Sequence, residues 1–347
     1  MKCKKKALIT GVNGQDGSLM AAKLLLEGFD VYGTYRVGSN QSLWRLQELG
    51  IAEKISLIDL EIGQYDKISQ YVDGSEISHI FHFAGSSFTV SFDRNPIKHY
   101  HSNTSGVIDI CEFARLNSPN STIFVAGSSE IFGKKSDNAF YKASSKTRFA
   151  PYNFYGLSHI SNIDICDFYR TNYNMLICNG IMFNHESEYR SEQFFSRKLS
   201  LGIARMLLDK NFTLNLGNID VRKDMGCAKE FINSIFQTAI ARLSGRLVIG
   251  TGTLISLNDV IFSGLKHVGF FPVTTYENGE ITIRDDSSNR ILVKSVKHLM
   301  RKSELDPWYA DTSEMIHFFN RAPTTTLLDL ISIMISKDYE RMRGRIF

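Results

Sequence analysis

The sequence predicts an α/β protein built on a doubly wound parallel sheet. Three observations predict it. Short apolar runs alternate with amphipathic stretches through the first half, a glycine-rich turn follows the first run, and the alternation weakens after Asn184. Continuous apolar runs suit strands buried on both faces, and parallel strands need helical crossovers between them. In order, residues 6–11 read as a strand, 17–27 as a helix, 30–35 as a strand, 42–49 as a helix and 55–60 as a strand. Strands follow at 77–84 and 121–126 with a helix at 104–116 between them, then a long helix at 152–172 and a strand at 175–183.

The remainder is expected to form a smaller, interleaved C-terminal substrate-binding lobe over the carboxyl ends of the strands, where ligands bind in such folds. Residues 1–183 are assigned to the larger domain, with residues 218–250 returning to it, and 184–347 mainly to the smaller lobe. No repeat, low-complexity tract or Pro/Gly linker separates the two.

The bulk numbers fit a globular protein. The chain has 347 residues, 43% of them hydrophobic, enough to bury a sizeable core. A net charge of +4 is small for this length, and no aromatic or basic array follows the lysines at 2, 4, 5 and 6, so no nucleic-acid partner is expected. The five cysteines are scattered, with no CxxC pair, and read as reduced. The apolar stretch 7–9 is too short for a signal peptide and no run reaches membrane-spanning length, so a soluble cytoplasmic protein is expected, with no membrane partner. The histidines show no metal-ligand spacing, and no metal is expected.

Thr10, Gly11, Gly14, Gln15, Asp16 and Gly17 form the turn between the first strand and the first helix. Glycines there let backbone N–H groups approach a pyrophosphate, and the helix N-terminus adds a favourable dipole. The spacing is Gly-x-x-Gly-x-x-Gly, and its strand–turn–helix setting points to a Rossmann-like dinucleotide site. The second strand ends in Thr34-Tyr35-Arg36, with no acid for a ribose diol, and Arg36 suits a 2′-phosphate, so NADP is preferred over NAD. Asp59 and Leu60, after the third strand, are placed to meet the adenine. A helix cap is the alternative for Asp59.

Ser128, Glu130, Tyr155 and His159 form the second constellation. A phenol can take a hydroxyl proton while hydride leaves the same carbon, whereas a carboxylate is needed for elimination and not for simple dehydrogenation. Tyr155 and His159 are one helical turn apart and share a face.

The glycine loop together with the Tyr155 helix resembles the extended short-chain dehydrogenase/reductase family. Segments 179–187 (Asn-Gly-Ile-Met-Phe-Asn-His-Glu-Ser), 196–199, 216–220, 224–230 and 301–306, with Gly14–Ser18 and Leu43-Trp44-Arg45-Leu46, are similar to GDP-mannose 4,6-dehydratases. That resemblance implies an NADP-dependent lyase that turns a GDP-sugar, GDP-mannose or a close relative, into a 4-keto-6-deoxy product. It implies catalytic roles for Ser128, Glu130 and Tyr155, with Ser128 standing where the family has threonine. Ala84, His185 and Arg190 fall at cofactor positions, and Ser86, Asn184, Lys198, Leu216, Lys223, Arg301 and Glu304 at substrate positions. His159 stands where the family has lysine, whose charge lowers the tyrosine pKa and holds the nicotinamide ribose. Lys223 stands where it has arginine, and the two are not equivalent toward phosphate.

The family's Pro-Arg-Arg-Gly, whose arginines reach a neighbouring subunit's cofactor, is here Glu188-Tyr189-Arg190-Ser191, and a homodimer or homotetramer is expected. Residues 84–88 lack the family's glutamine, which implies an altered sugar pocket. Residues 134–149 read as a longer, basic, solvated loop. A nucleotide-sugar epimerase or reductase, and a cofactor-binding homologue with impaired catalysis, stay open as alternatives.

Overall fold

A computed structural model describes residues 5–36, 43–87, 95–135, 139–277, 280–300 and 307–344. Its centre is a seven-stranded parallel sheet of β1 (Lys6–Thr10), β2 (Asp30–Tyr35), β3 (Ser56–Asp59), β4 (Ile77–His82), β5 (Thr122–Ser128), β7 (Leu176–Met182) and β12 (Gly245–Ile249). The order is β12-β7-β5-β4-β1-β2-β3, all neighbours parallel, so the winding reverses between β1 and β4. Ligands bind in the crevice at such a switch point.

Helices cover both faces. On one side α1 (Gln15–Leu26) and α6 (Ala228–Ile240) pack over a core that includes Ile9, Phe81, Phe124 and Phe231. On the other, α3 (Pro96–Asn117) and α4 (Phe154–Tyr173) close over Leu8, Ile80, Ile123, Val125 and Ile177. Consecutive strand residues supply opposite cores, as the period of two requires.

The sequence boundaries shift in instructive ways. The helix expected at 104–116 starts at Pro96, capped by Asn95, whose Oδ1 accepts the Lys98 N–H at 3.3 Å. Asn-Pro is a helix-start signal, and Pro at the first turn sacrifices no hydrogen bond. The strand expected at 121–126 runs on through Ser128, which places that hydroxyl at the sheet's carboxyl edge. The stretch 134–149 is not simply a solvated loop: β6 (Tyr141–Ala143) pairs in parallel with β17 (Trp308–Ala310). Trp308 stacks on Phe132 at 5.2 Å and donates to the Gly133 carbonyl at 2.9 Å.

The third core belongs to the second half. A four-stranded sheet, β14 (Pro272–Glu277), β15 (Glu280–Asp285), β16 (Ile291–Ser295) and β9 (Leu214–Leu216), packs with α5 (Phe195–Leu208), α7 (Leu257–His267) and α9 (Leu327–Gly344) around Leu199, Ile203, Val260, Ile283 and Ile331. The chain crosses back repeatedly: β12 and α6 join the first sheet, and Trp308 and Met315 join its core. Asp224 fastens one crossing. Its buried carboxylate accepts the backbone N–H groups of Thr251 at 3.0 Å, Gly252 at 2.9 Å and Ala310 at 3.0 Å.

Candidate active site

The phosphate-type turn forms because β1 ends at Thr10 and Gly11 adopts a left-handed φ of +72°. A Cβ on Gly11 would lie 2.9 Å from the Ala84 nitrogen, and one on Gly17 would lie 2.2 Å from the Gly11 carbonyl oxygen. The glycines therefore let the loop after β1, the loop after β4 and the first turn of α1 converge. Gly14 is the cap residue of α1 and offers no side-chain acceptor, so the first N–H groups of the helix remain available to an anion. Thr10 is buried with its Oγ1 2.9 Å from His82 Nδ1, and accepts the Ala84 N–H at 3.2 Å. Ser86 is held by Asn103, whose Oδ1 accepts its N–H at 2.8 Å.

The first turn of α1 is strapped to the segment after β7. Gln15 donates to the His185 carbonyl at 3.1 Å, and Ser187 donates to Gln15 Oε1 at 2.8 Å. Asp16 faces His185 Nε2 at 3.0 Å, while His185 Nδ1 lies 2.8 Å from the Phe183 carbonyl. Both ring nitrogens face acceptors, which favours the protonated ring. Burial works against both charges, yet their mutual attraction wins: Asp16 is held down at about 2 and His185 is raised. Arg190 ion-pairs with Glu186 of its own chain at 3.2 Å and lies over the Phe194 ring at 3.8 Å.

Arg45, for which the sequence motif suggests no role, also belongs to this cluster. It is buried, donates to the Tyr189 carbonyl at 2.6 Å and to the Asn13 carbonyl at 3.0 Å, and so ties the glycine turn to the 185–190 strap. Its sequence signal is faint, because an arginine on a short amphipathic helix ordinarily reads as solvated.

The other expected cofactor residues sit at strand ends. Arg36 is exposed just after β2, and Asp59 is exposed at the end of β3, in register with Tyr35. The Leu60 side chain is committed to the core beside Ile58, Tyr65 and Ile68.

Ser128, Glu130, Tyr155 and His159 come together at the carboxyl edge between β5 and the start of α4. Ser128 Oγ accepts the Glu130 N–H at 3.2 Å and also hydrogen-bonds the Tyr155 phenol. The Tyr155 and His159 rings meet edge-on, centroids 4.5 Å apart, as residues one turn apart on a helix should. Burial pushes the Tyr155 phenol up to about 12, with the Ser128 hydrogen bond pulling the other way and Glu130 adding to the rise. Burial pushes His159 down to about 4, so the ring is neutral at pH 7. Neither of its nitrogens meets a hydrogen-bond partner among the described residues. An unpaired buried ring nitrogen costs about 1–3 kcal/mol, so a ligand hydroxyl that reached it would be well rewarded.

Asn153 was not foreseen. It caps α4, its Oδ1 accepting the Gly156 N–H at 2.8 Å, and its Nδ2 donates to Glu130 Oε2 at 3.0 Å. An asparagine three residues before the helix's first buried position is a cap signal; its second bond is not legible in sequence.

The expected substrate residues line up less uniformly. Asn184 is exposed at the start of β8 (Asn184–Glu186), which pairs with β11 (Met225–Cys227), and Lys198 is exposed on α5. Lys223 lies on β10 (Arg222–Lys223), paired with β13 (Ile255–Ser256). Leu216 is buried in the C-terminal core, and its carbonyl accepts the Val296 N–H at 2.8 Å. Arg301 and Glu304 lie outside the described residues.

Solved structures share this architecture. A dTDP-glucose 4,6-dehydratase from Bacillus anthracis in complex with NAD superposes with a TM-score of 0.78 at 15% identity, covering 98% of this chain and 97% of that one. A UDP-glucose 4-epimerase from Stenotrophomonas maltophila with bound NAD gives 0.79 at 15% identity, covering 98% and 99%. These likenesses are of fold. In sequence, the chain is 29% identical over 353 residues to a GDP-mannose 4,6 dehydratase of Drosophila melanogaster, covering 98% of this chain and 87% of that protein. It is 29% identical over 355 residues to the Vibrio cholerae enzyme of the same name, covering 96% and 94%. The GDP-mannose 4,6 dehydratase family model matches residues 8–334, nearly the whole chain, and the protein belongs to that family.

Proposed function

We propose that the protein is an NADP-dependent nucleotide-sugar 4,6-dehydratase acting on GDP-mannose or a close GDP-sugar. The observation that carries this reading is Glu130 beside Tyr155 and Ser128 at the carboxyl edge of the parallel sheet. The glycine turn and the free first N–H groups of α1 suit a pyrophosphate, and the unpartnered, buried His159 suits a ribose hydroxyl. The nicotinamide would accept a hydride from the sugar C4 and later return it to C6. Arg36 at the end of β2, where an acid would serve a ribose diol, favours the 2′-phosphate form.

The protein's own groups supply the proton chemistry. Tyr155, as phenolate, takes the C4 hydroxyl proton while Ser128 hydrogen-bonds the C4 oxygen. The resulting ketone acidifies C5–H. Glu130 takes that proton, the C5–H electron pair becomes the C5–C6 double bond, and the C6 hydroxyl leaves as water with the proton returned by Glu130. Reduction at C6 and protonation at C5 complete a 4-keto-6-deoxy sugar, with water the only net loss.

A homodimer fits the exposed apolar residues on α3 and α4, among them Ile97, Ile108, Leu116, Phe154 and Phe168, which a second copy would cover. The four described cysteines are free and buried, which suits a reducing, cytoplasmic compartment.

The test is mass spectrometry of GDP-mannose incubated with protein and NADP, beside Glu130→Gln. Loss of one water, absent in E130Q, supports the reading. A change of sugar configuration without loss of water points to epimerase or reductase chemistry. A second reading, a cofactor-binding homologue without turnover, is favoured by the neutral His159 and predicts NADP binding with every sugar nucleotide unchanged.

A further inference from the structure

We propose that Asn153 is a positioning residue that aims the Glu130 carboxylate and locks it to the helix carrying Tyr155. The inference rests on the dehydratase reading and assigns a part that neither the carboxylate nor the phenol supplies.

Glu130 sits in a short helical turn (Ser129–Phe132) directly after β5, where nothing in the sheet ladder fixes its side chain. Two contacts from α4 hold the residue, one at its backbone and one at its carboxylate. The first is steric: a Cβ on Gly156 would lie 2.7 Å from the Glu130 carbonyl oxygen, so glycine lets the helix's first turn press against the Glu130 backbone. The second is the Asn153 amide, whose two ends do different work. Its oxygen caps Gly156 N–H at 2.8 Å, and its NH2 holds Glu130 Oε2 at 3.0 Å.

Only one end is needed for helix capping, which Ser, Thr or Asp performs as well. The other end is a donor spent on one carboxylate oxygen. It fixes Glu130 relative to Tyr155, two residues along the same helix. A base that must reach C5 after the phenol has served C4 needs that fixed relation, because proton abstraction falls steeply with misplacement.

The two ends of the amide can be separated by substitution. Asn153→Asp keeps the capping oxygen, removes the donor and sets a second carboxylate against Glu130. Asn153→Ser keeps the cap without charge, with a hydroxyl too short to reach Glu130. Both are expected to melt within a few degrees of wild type. In both, kcat should fall about tenfold at unchanged KM, the size expected for losing a hydrogen bond to a charged group. The discriminating readout is the deuterium isotope effect on kcat with sugar labelled at C5. It should grow in both variants, because C5 proton removal becomes slower while C4 oxidation is untouched.

Folded variants with wild-type kcat and isotope effect would overturn the proposal and leave Asn153 a helix cap. A lower kcat with an unchanged C5 isotope effect would also overturn it, since the loss would lie in another step. A wild-type protein that removes no water from any sugar nucleotide sinks the dehydratase reading itself, and the positioning role with it. An active wild type beside indifferent variants sinks only the positioning role.

Discussion

On the dehydratase reading, replacing His159 with lysine should raise activity at neutral pH. In the present site the Tyr155 phenol is pushed up to about 12 by burial, and the adjacent His159, pushed down to about 4, carries no charge to oppose it. At pH 7 the reactive phenolate is thus a fraction on the order of one in 100,000. The ring centroids are 4.5 Å apart, and a lysine ammonium placed roughly 5 Å from the phenol oxygen is taken for the magnitude. At an effective dielectric constant near 20, that attraction is about 3 kcal/mol, or roughly 2 pKa units. The phenolate fraction would then rise roughly a hundredfold. A less basic phenolate removes protons more slowly, which leaves a net gain of about tenfold. The sign is fixed by which form reacts: activity climbs with pH as the phenol ionises, so lowering its pKa moves the climb to lower pH. The assay is water loss from GDP-mannose across pH 6 to 10 with saturating NADP. An unmoved pH limb, or a lower rate at neutral pH in a variant that melts like wild type, would refute the electrostatic account and give the histidine a specific role of its own.

Two further outcomes are expected. Arg36→Glu should weaken NADP binding roughly tenfold or more and spare NAD, measured by fluorescence titration with each cofactor; an unchanged ratio would remove Arg36 from the 2′-phosphate argument. The Asp16–His185 pair should make stability pH-dependent: Asp16, held at about 2 against 3.8 in the unfolded chain, stabilises above 3.8 and loses its contribution as pH falls through about 2. His185, raised above 6.5, contributes below 6.5 and loses that contribution as pH rises through its folded value. In urea unfolding, Asp16→Asn should therefore cost about 2 kcal/mol near pH 5 and much less near pH 2; equal costs at both would show that the pair is not charged.

Much of this was legible in the sequence because it depends on local rules. The alternating apolar runs located six of the seven strands of the sheet, with ends shifted by a residue or two, because strands buried on both faces read as continuous apolar runs; β12, which returns from the second half, was not among them. The glycine turn was legible for the same reason, because only glycine permits the approach of Gly17 to the Gly11 carbonyl. What escaped was long-range. The return of Trp308 to the first core depends on a pairing with Tyr141 across 167 residues, and no periodicity announces it. Arg45 and Asn153 escaped because their importance lies in which carbonyl or carboxylate each meets, and residue type does not specify that.

Charge state is the deepest part of what sequence withholds. His159 and His185 are the same side chain with the same pKa in water, and both are buried. Burial drives both toward neutrality. His185 resists because Asp16 and the Phe183 carbonyl face its two nitrogens, so it holds its proton beside the glycine turn. Among the described residues His159 meets no such acceptor, and burial drives its proton off. The cations His185 and Arg190 beside the phosphate-type turn are each matched by a carboxylate, Asp16 and Glu186, while the phenol is left with Glu130 as a like-charged neighbour once ionised. On the dehydratase reading, a site arranged this way does little to prime the tyrosine. Turnover should then be limited at the phenol, and a cation introduced at position 159 would add to the pull that Arg190 alone exerts against burial and Glu130.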